Sequence, residues 1–272
     1  MTTIAFIGAG NMAGAIIGGL VENGFDKTKL WASDPSQEKI NELTSSLGIQ
    51  GTTDNASAIK QADVVILAIK PQVMEAVLSP IKDALQEKKP LIISVAAGIN
   101  LSSISSWTGG NLAIVRCMPN TPALVQQGAS GLFANEQVSD SQKAISEQIL
   151  NAVGISVWVD KESQLDAVTA VSGSGPAYFF LFMEAMVEAG KKLGLSEETA
   201  KELTLKTALG AATMASKSSD SPAQLRKKVT SPNGTTEKAI NSFIDQDLSQ
   251  MVETALKAAN DRSVELSKEL GV

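Results

Sequence analysis

The chain has 272 residues, room for one large domain or two ordinary ones, and 43% are hydrophobic, enough for a core that needs no disulfide staple. A formal net charge of −6 argues against nucleic acid as a main partner. No histidine is present, which excludes a Ser-His-Asp triad, a histidine acid or base and His-built metal sites, so no metal is expected.

The first apolar run, Thr3–Gly8, reads as a buried strand that stops at Gly8-Ala9-Gly10. A helical pattern then covers Asn11–Asn23, with Met12, Ala15, Ile16, Gly19 and Leu20 on one face. The turn between them carries G-x-G-x-x-A at Gly8, Gly10 and Ala13. Gly8 suits a tight turn, Gly10 lets a pyrophosphate approach the backbone, and Ala13 lets the helix lie close to its strand. The free N–H groups and positive end of such a helix face an anion. A dinucleotide is therefore expected here; the alternative is a glycine turn with a purely structural purpose.

Further strands are expected at Lys29–Ser33, Val64–Ile69, Leu91–Val95, Leu112–Met118 and Ser156–Val159. Helices are expected at Pro35–Leu47, Asn55–Gln61, Gln72–Ala84, Leu101–Trp107 and Ser139–Val153. The strands around Val65 and Ile92 are apolar continuously, not alternately, so both faces are buried as in a parallel sheet. This alternation predicts a doubly wound α/β domain.

From about Glu162 the strand signal ends. Helices follow at Glu162–Val171, Pro176–Leu193, Glu197–Lys217, Pro222–Val229, from near Thr235, and at Leu248–Leu270. Two domains are expected, residues 1–161 for the dinucleotide and 162–272 as a helical unit. Pro176 fits a first helical position. The turns after it, with Phe179, Phe180, Leu181, Phe182 and Met186, are apolar nearly all round and call for cover by a second subunit or by a large core.

Candidate site residues lie at the ends of these elements. Ser33 and Asp34 both stand about 20 residues past the glycine turn, where a ribose partner is expected. Asp34 there favours ribose hydroxyls, while Ser33, Ser36 and Lys39 suit a 2′-phosphate; Asp34-Pro35 also suits a helix cap. Asn55 is an N-cap or an adenosine contact. Lys70 and the small residues Ala96 to Gly98 end strands at the sheet edge where ligands bind. Arg116-Cys117-Met118-Pro119-Asn120-Thr121-Pro122 is a stiff loop suited to positioning, and Cys117 reads as buried, with no histidine to activate it. Ser231-Pro232-Asn233-Gly234-Thr235-Thr236 is a turn before a helix start, an anion site or an ordinary cap.

Taken together, GAGNMA, AIKP, SVAAG, RCMPNTPA, SGSGPAYFF and VTSPNGTTEKAI resemble the pyrroline-5-carboxylate reductase family over essentially the whole chain. Asn233 departs from the glycine common there, though Asn tolerates a left-handed backbone. The resemblance implies a Rossmann-type, mainly parallel sheet followed by an all-α dimerisation domain, with relatives forming dimers or rings of five dimers. It implies Gly8, Gly10, Asn11, Met12 and Ala13 at the pyrophosphate, Ser33 at the 2′-phosphate, Asn55 near the adenosine, and Ile69, Lys70 and Ala96 along the nicotinamide. Ser231, Thr235 and Thr236 would bind the substrate, with Thr236 at the ring nitrogen. The implied reaction reduces 1-pyrroline-5-carboxylate to L-proline with NADPH, or with NADH, which Asp34 makes credible.

Composition fits that chemistry. A ketone reduction develops an alkoxide and recruits His, Lys or Tyr to protonate it, whereas an iminium is already electrophilic. A chain with no His and one Tyr, Tyr178, suits the imine. Rival readings are a 3-hydroxy-acid dehydrogenase, which would want a lysine where SGSGPAYFF has aromatics, and a non-catalytic NADP sensor. One cysteine, no apolar run near the ~20 residues of a membrane span, and no basic-then-apolar leader point to the cytoplasm.

Overall fold

In a computed structural model, which describes residues 2–271, the chain forms two compact units. One runs to Ser174 and takes back the segment from Ala258; the other is Gly175–Lys257. The first is built in order from β1 (Ile4–Ile7), α1 (Asn11–Glu22), β2 (Leu30–Ser33), α2 (Gln37–Leu47), β3 (Gln50–Thr52), α3 (Asn55–Gln61) and β4 (Val64–Leu67). It continues with α4 (Met74–Leu78), α5 (Lys82–Lys88), β5 (Leu91–Ser94), α6 (Leu101–Thr108), β6 (Ile114–Met118) and β7 (Gly128–Ala134). It ends with α7 (Asp140–Asn151), β8 (Gly154–Trp158) and α8 (Gln164–Val168), which runs into a wide helical turn, Thr169–Gly173.

The eight strands lie in the order β3-β2-β1-β4-β5-β6-β7-β8. All neighbours are parallel except β6 and β7. β1 sits between β2 and β4, with Ile7 opposite both Ser33 and Leu67. The strand order reverses there, so the glycine turn leaves the sheet at the switch point where α/β domains bind ligands. Side chains of β1 feed two cores. Ile4 and Phe6 pack with Ile16, Ile17 and Leu20 of α1 and Leu150 of α7. Ala5 and Ile7 pack on the other face with Ile59, Met74, Leu78, Ile104 and Trp107.

The expected Gln72–Ala84 helix is two short ones. Pro80 has no amide for a continuous ladder, and a tight turn at Ser79–Ile81 separates α4 from α5. β3 and β7 go unpredicted from the sequence because glycines weaken their strand signal. Helices lie too close for anything larger: a Cβ on Gly51 would come within 2.5 Å of the Ile40 side chain, and one on Gly131 within 2.6 Å of Val168.

The second unit holds α9 (Gly175–Lys192), α10 (Glu197–Lys217), α11 (Pro222–Lys228), α12 (Thr235–Asp245) and the first part of α13 (Leu248–Leu270). α9 and α10 pack closely, with the site for a Gly190 Cβ only 3.1 Å from Ala200. Phe182 and Phe243 meet with ring centroids 6.0 Å apart. Within this unit Phe179, Phe180 and Leu181 are each about two-thirds exposed, and Leu209, Met214, Ile244 and Met251 are also exposed. The last turns of α13 belong to the first unit. There Ser263 donates to Asp166 at 2.7 Å, and Leu266 and Leu270 lie against Gly98.

Candidate functional site

At the glycine turn, Gly8 has φ +102°, and a Cβ there would stand 2.4 Å from the Ala68 carbonyl oxygen. Only glycine fits. Its N–H donates to the Ser33 carbonyl at 2.7 Å, tying the turn to β2. Gly10 is the extended residue before α1, and a Cβ on it would meet nothing within 4 Å. That open space, with no side chain capping the first amides of α1, fits a pyrophosphate laid on the helix end. Asn11 is exposed there, Met12 is half-buried, and Ala13 is fully buried against the sheet.

A groove of about 470 Å³ runs from this turn, lined by Ala9, Gly10, Asn11, Lys39, Leu124 and Gln126 among others. A larger cavity of about 620 Å³ opens beside Ile4, Phe25 and Ile149 at the other end of β1. None of the expected site residues lines it, and it is not at the edge where such sheets bind ligands.

At the end of β2 the expected ribose partners are placed differently from one another. Ser33 is fully buried and donates to Asn55 Oδ1 at 2.6 Å, so it stands behind Asn55 instead of facing solvent. Asn55 is free for that bond because Asp54 caps α3, accepting from the Ala56 amide at 3.0 Å. The Asp34 carboxylate turns inward: Oδ2 accepts from the Ala9 amide and Oδ1 from the Ser36 amide, each at 3.0 Å. Ser36, not Asp34, caps α2. Lys39 reaches Asp34 Oδ2 at 3.6 Å.

At the neighbouring strand ends, Ile69 is half-buried and Lys70 exposed. Ala96 is buried, its amide bonded to Ser94 Oγ at 3.4 Å, and Gly98 takes φ +74°. The Arg116–Pro122 stretch is not all loop: Arg116 to Met118 end β6, and the segment is held at two points. Arg116 donates to Glu162 at 2.7 Å, and the same carboxylate oxygen accepts from the Leu101 amide at 2.6 Å. Asn120 donates to the Ser172 carbonyl at 3.1 Å and accepts from the Ala129 amide at 2.9 Å. Burial pushes the Cys117 thiol up to about 12, partly offset by a hydrogen bond from Ser130, so it is no nucleophile. Among the described residues no cluster of His, Cys, Asp and Glu could hold a metal, and no helix is long and apolar enough to cross a membrane.

In the second unit, Asn233 adopts the left-handed backbone, φ +60°, that its type tolerates. Its amide donates to Glu237 at 2.8 Å, and the Gly234 amide donates to the Ser231 carbonyl at 3.0 Å. This turn leads into α12 through Gly234 with no side-chain cap. Ser231, Thr235 and Thr236 are exposed beside the uncapped amides, an arrangement suited to a carboxylate.

Comparison with known proteins matches residues 162–266 to the family model "Pyrroline-5-carboxylate reductase dimerisation" and residues 3–98 to "NADP oxidoreductase coenzyme F420-dependent". Pyrroline-5-carboxylate reductase of Pseudomonas aeruginosa is 56% identical over 268 residues, covering 98% of each chain. The chain belongs to the pyrroline-5-carboxylate reductase family. The structure of the family member from Coxiella burnetii superposes with a TM-score of 0.95 at 46% identity, over 97% of this chain and 98% of that one. A pyrroline carboxylate reductase of Plasmodium falciparum, solved with NADP bound, gives 0.84 at 31% identity over 98% of each.

Three relationships were not foreseen from sequence: the Asp34–Ala9 bond, the Asn120 bridge, and the Arg116–Glu162–Leu101 contact. None of the three left a readable trace. The sequence does show the other Asp34 bond, to the Ser36 amide. Asp-Pro-Ser is a pattern for an Asx turn, in which the carboxylate bonds the amide two residues on.

Proposed function

We propose that this chain reduces the C=N bond of 1-pyrroline-5-carboxylate to give L-proline, with NADPH as the preferred cofactor. The observation that carries the reading is the start of α12. A Pro-Asn-Gly turn leads into uncapped amides flanked by exposed Ser231, Thr235 and Thr236 hydroxyls. Family membership supplies the substrate class, and the open space at Gly10 supports a dinucleotide.

NADPH, when bound, supplies the hydride. Gly8, Gly10, Asn11, Met12 and Ala13 hold the pyrophosphate on the amides of α1. Asn55, oriented by Ser33, serves the adenosine end. Ile69, Lys70 and Ala96, just past the ends of β4 and β5, would line the nicotinamide half. Ser231, Thr235 and Thr236 hold the substrate, the α12 amides taking its carboxylate. Thr236 fixes the ring nitrogen and keeps a proton there. An iminium needs no strong acid, so orientation supplies most of the rate, consistent with a chain that has no histidine.

In this reading residues 1–161 serve the cofactor and 162–272 the substrate and subunit contacts. The exposed Phe179, Phe180 and Leu181 support a homo-oligomer built on a dimer, to be checked by light scattering. A lone buried cysteine supports a cytoplasmic location, which cell fractionation checks. The direct test of activity is to mix the protein with pyrroline-5-carboxylate and NADPH or NADH and follow the nicotinamide absorbance. No oxidation of either cofactor would refute the assignment.

A further inference from the structure

An acidic residue at the end of the second strand ordinarily accepts from the ribose hydroxyls and repels a 2′-phosphate. Asp34 occupies that place but is engaged elsewhere. Both of its oxygens accept backbone amides at 3.0 Å, from Ala9 within the glycine turn and from Ser36 at the start of α2. Its side chain is only 10% exposed. The Ala9 amide is in turn in a buried setting, where a donor left without a partner is costly. The carboxylate thus joins the glycine turn to the turn after β2. Lys39, by contrast, has its side chain 53% exposed, and it lines the groove that also takes in Ala9, Gly10 and Asn11.

We propose that Asp34 is a positioning residue that holds the phosphate-binding turn, and that Lys39 is the charge that distinguishes a 2′-phosphate from a free ribose. The inference rests on the reading of NADPH as cofactor. Asp34 holds Ala9 in place so that Gly10 and the first amides of α1 are already set for the pyrophosphate. That function is the same for NADPH and NADH. Lys39 acts only where a phosphate is present.

The test uses the whole protein and equilibrium titration with NADPH and with NADH, together with amide hydrogen exchange at Ala9 and Gly10 without cofactor. Asp34→Asn keeps the shape but can accept only one of the two amides. It is expected to speed exchange at Ala9 and to weaken both cofactors by a similar factor, about tenfold. Lys39→Gln is expected to weaken NADPH about tenfold, with loss of its salt sensitivity, while NADH changes less than about twofold. If Asp34→Asn does not fold, Asp34→Ser, whose hydroxyl can accept from one amide, replaces it.

Unchanged exchange at Ala9, or tighter NADPH binding with weaker NADH binding in Asp34→Asn, would overturn the role given to Asp34. Equal losses for both cofactors in Lys39→Gln would overturn the role given to Lys39. Exchange is measured without cofactor, so these outcomes stay separate from a failure of the wild type to bind NADPH.

Discussion

Arg116 of β6 and Glu162, just before α8, form a 2.7 Å ion pair in which the guanidinium side chain is 11% exposed and the carboxylate 30%. The same Glu162 oxygen accepts the Leu101 amide at the start of α6. One carboxylate therefore joins a strand, a helix start and the connection into α8. Glu162→Gln leaves a largely buried cation without its counter-charge. It is expected to cost about 2–3 kcal/mol, with Arg116→Met recovering part of that loss in the double variant. Denaturant unfolding of the four proteins checks this; additive losses would show that the pair is not coupled.

Gly8 and Gly10 make opposite predictions although they share a motif. Gly8→Ala forces a Cβ to within 2.4 Å of the Ala68 oxygen at a positive φ. It should destabilise the fold by at least about 2 kcal/mol. Gly10→Ala adds a methyl group where nothing lies within 4 Å, so its melting temperature should stay near wild type. The same methyl occupies the approach to α1, so NADPH binding should weaken about tenfold or more. Tight NADPH binding by Gly10→Ala would show that the pyrophosphate lies elsewhere.

Cys117 predicts a pH dependence. Burial raises the folded thiol from an ordinary value of 9.0 to about 12. Between those values the unfolded chain loses its thiol proton and the folded chain keeps it. The folded state then binds more protons, so the stability associated with this group is full below pH 9 and falls as pH rises toward 12. Wild type should lose melting temperature faster than Cys117→Ala from pH 9 upward. Parallel curves for the two proteins would contradict this.

Thr236 is expected to matter through its hydroxyl. Thr236→Ala and Thr236→Val should each lower kcat/KM about tenfold, and Thr236→Ser should restore most of it. Steady-state kinetics with pyrroline-5-carboxylate decides. Loss of rate in the serine variant equal to that in alanine would remove Thr236 from the ring nitrogen.

What could be read from the sequence follows what each residue had to do alone. β1, β4 and β5 are buried on both faces, so their unbroken apolar runs declare them. β3 and β7 carry Gly51, Gly128 and Gly131, whose value lies in the closeness of a neighbouring element, a fact that no local window contains. The site divides in the same way. Gly8 and the Asn233 turn announce themselves by backbone demands that only a few residue types meet. The inward turn of Asp34 and the burial of Ser33 behind Asn55 depend on partners 25 and 22 positions away. Spacing brings both residues to the strand end without saying which way either side chain faces.

The apolar surface on α9 has a thermodynamic consequence. Phe179, Phe180 and Leu181 are about two-thirds exposed in a unit whose helices leave much of their apolar surface uncovered. Where two copies bury such a surface together, association and folding draw on the same free energy, and mass action enters the stability. The melting temperature should then climb with protein concentration. Dilution alone, without heat or denaturant, should loosen the helical unit before the sheet, because the sheet has two buried cores of its own and the helices borrow theirs.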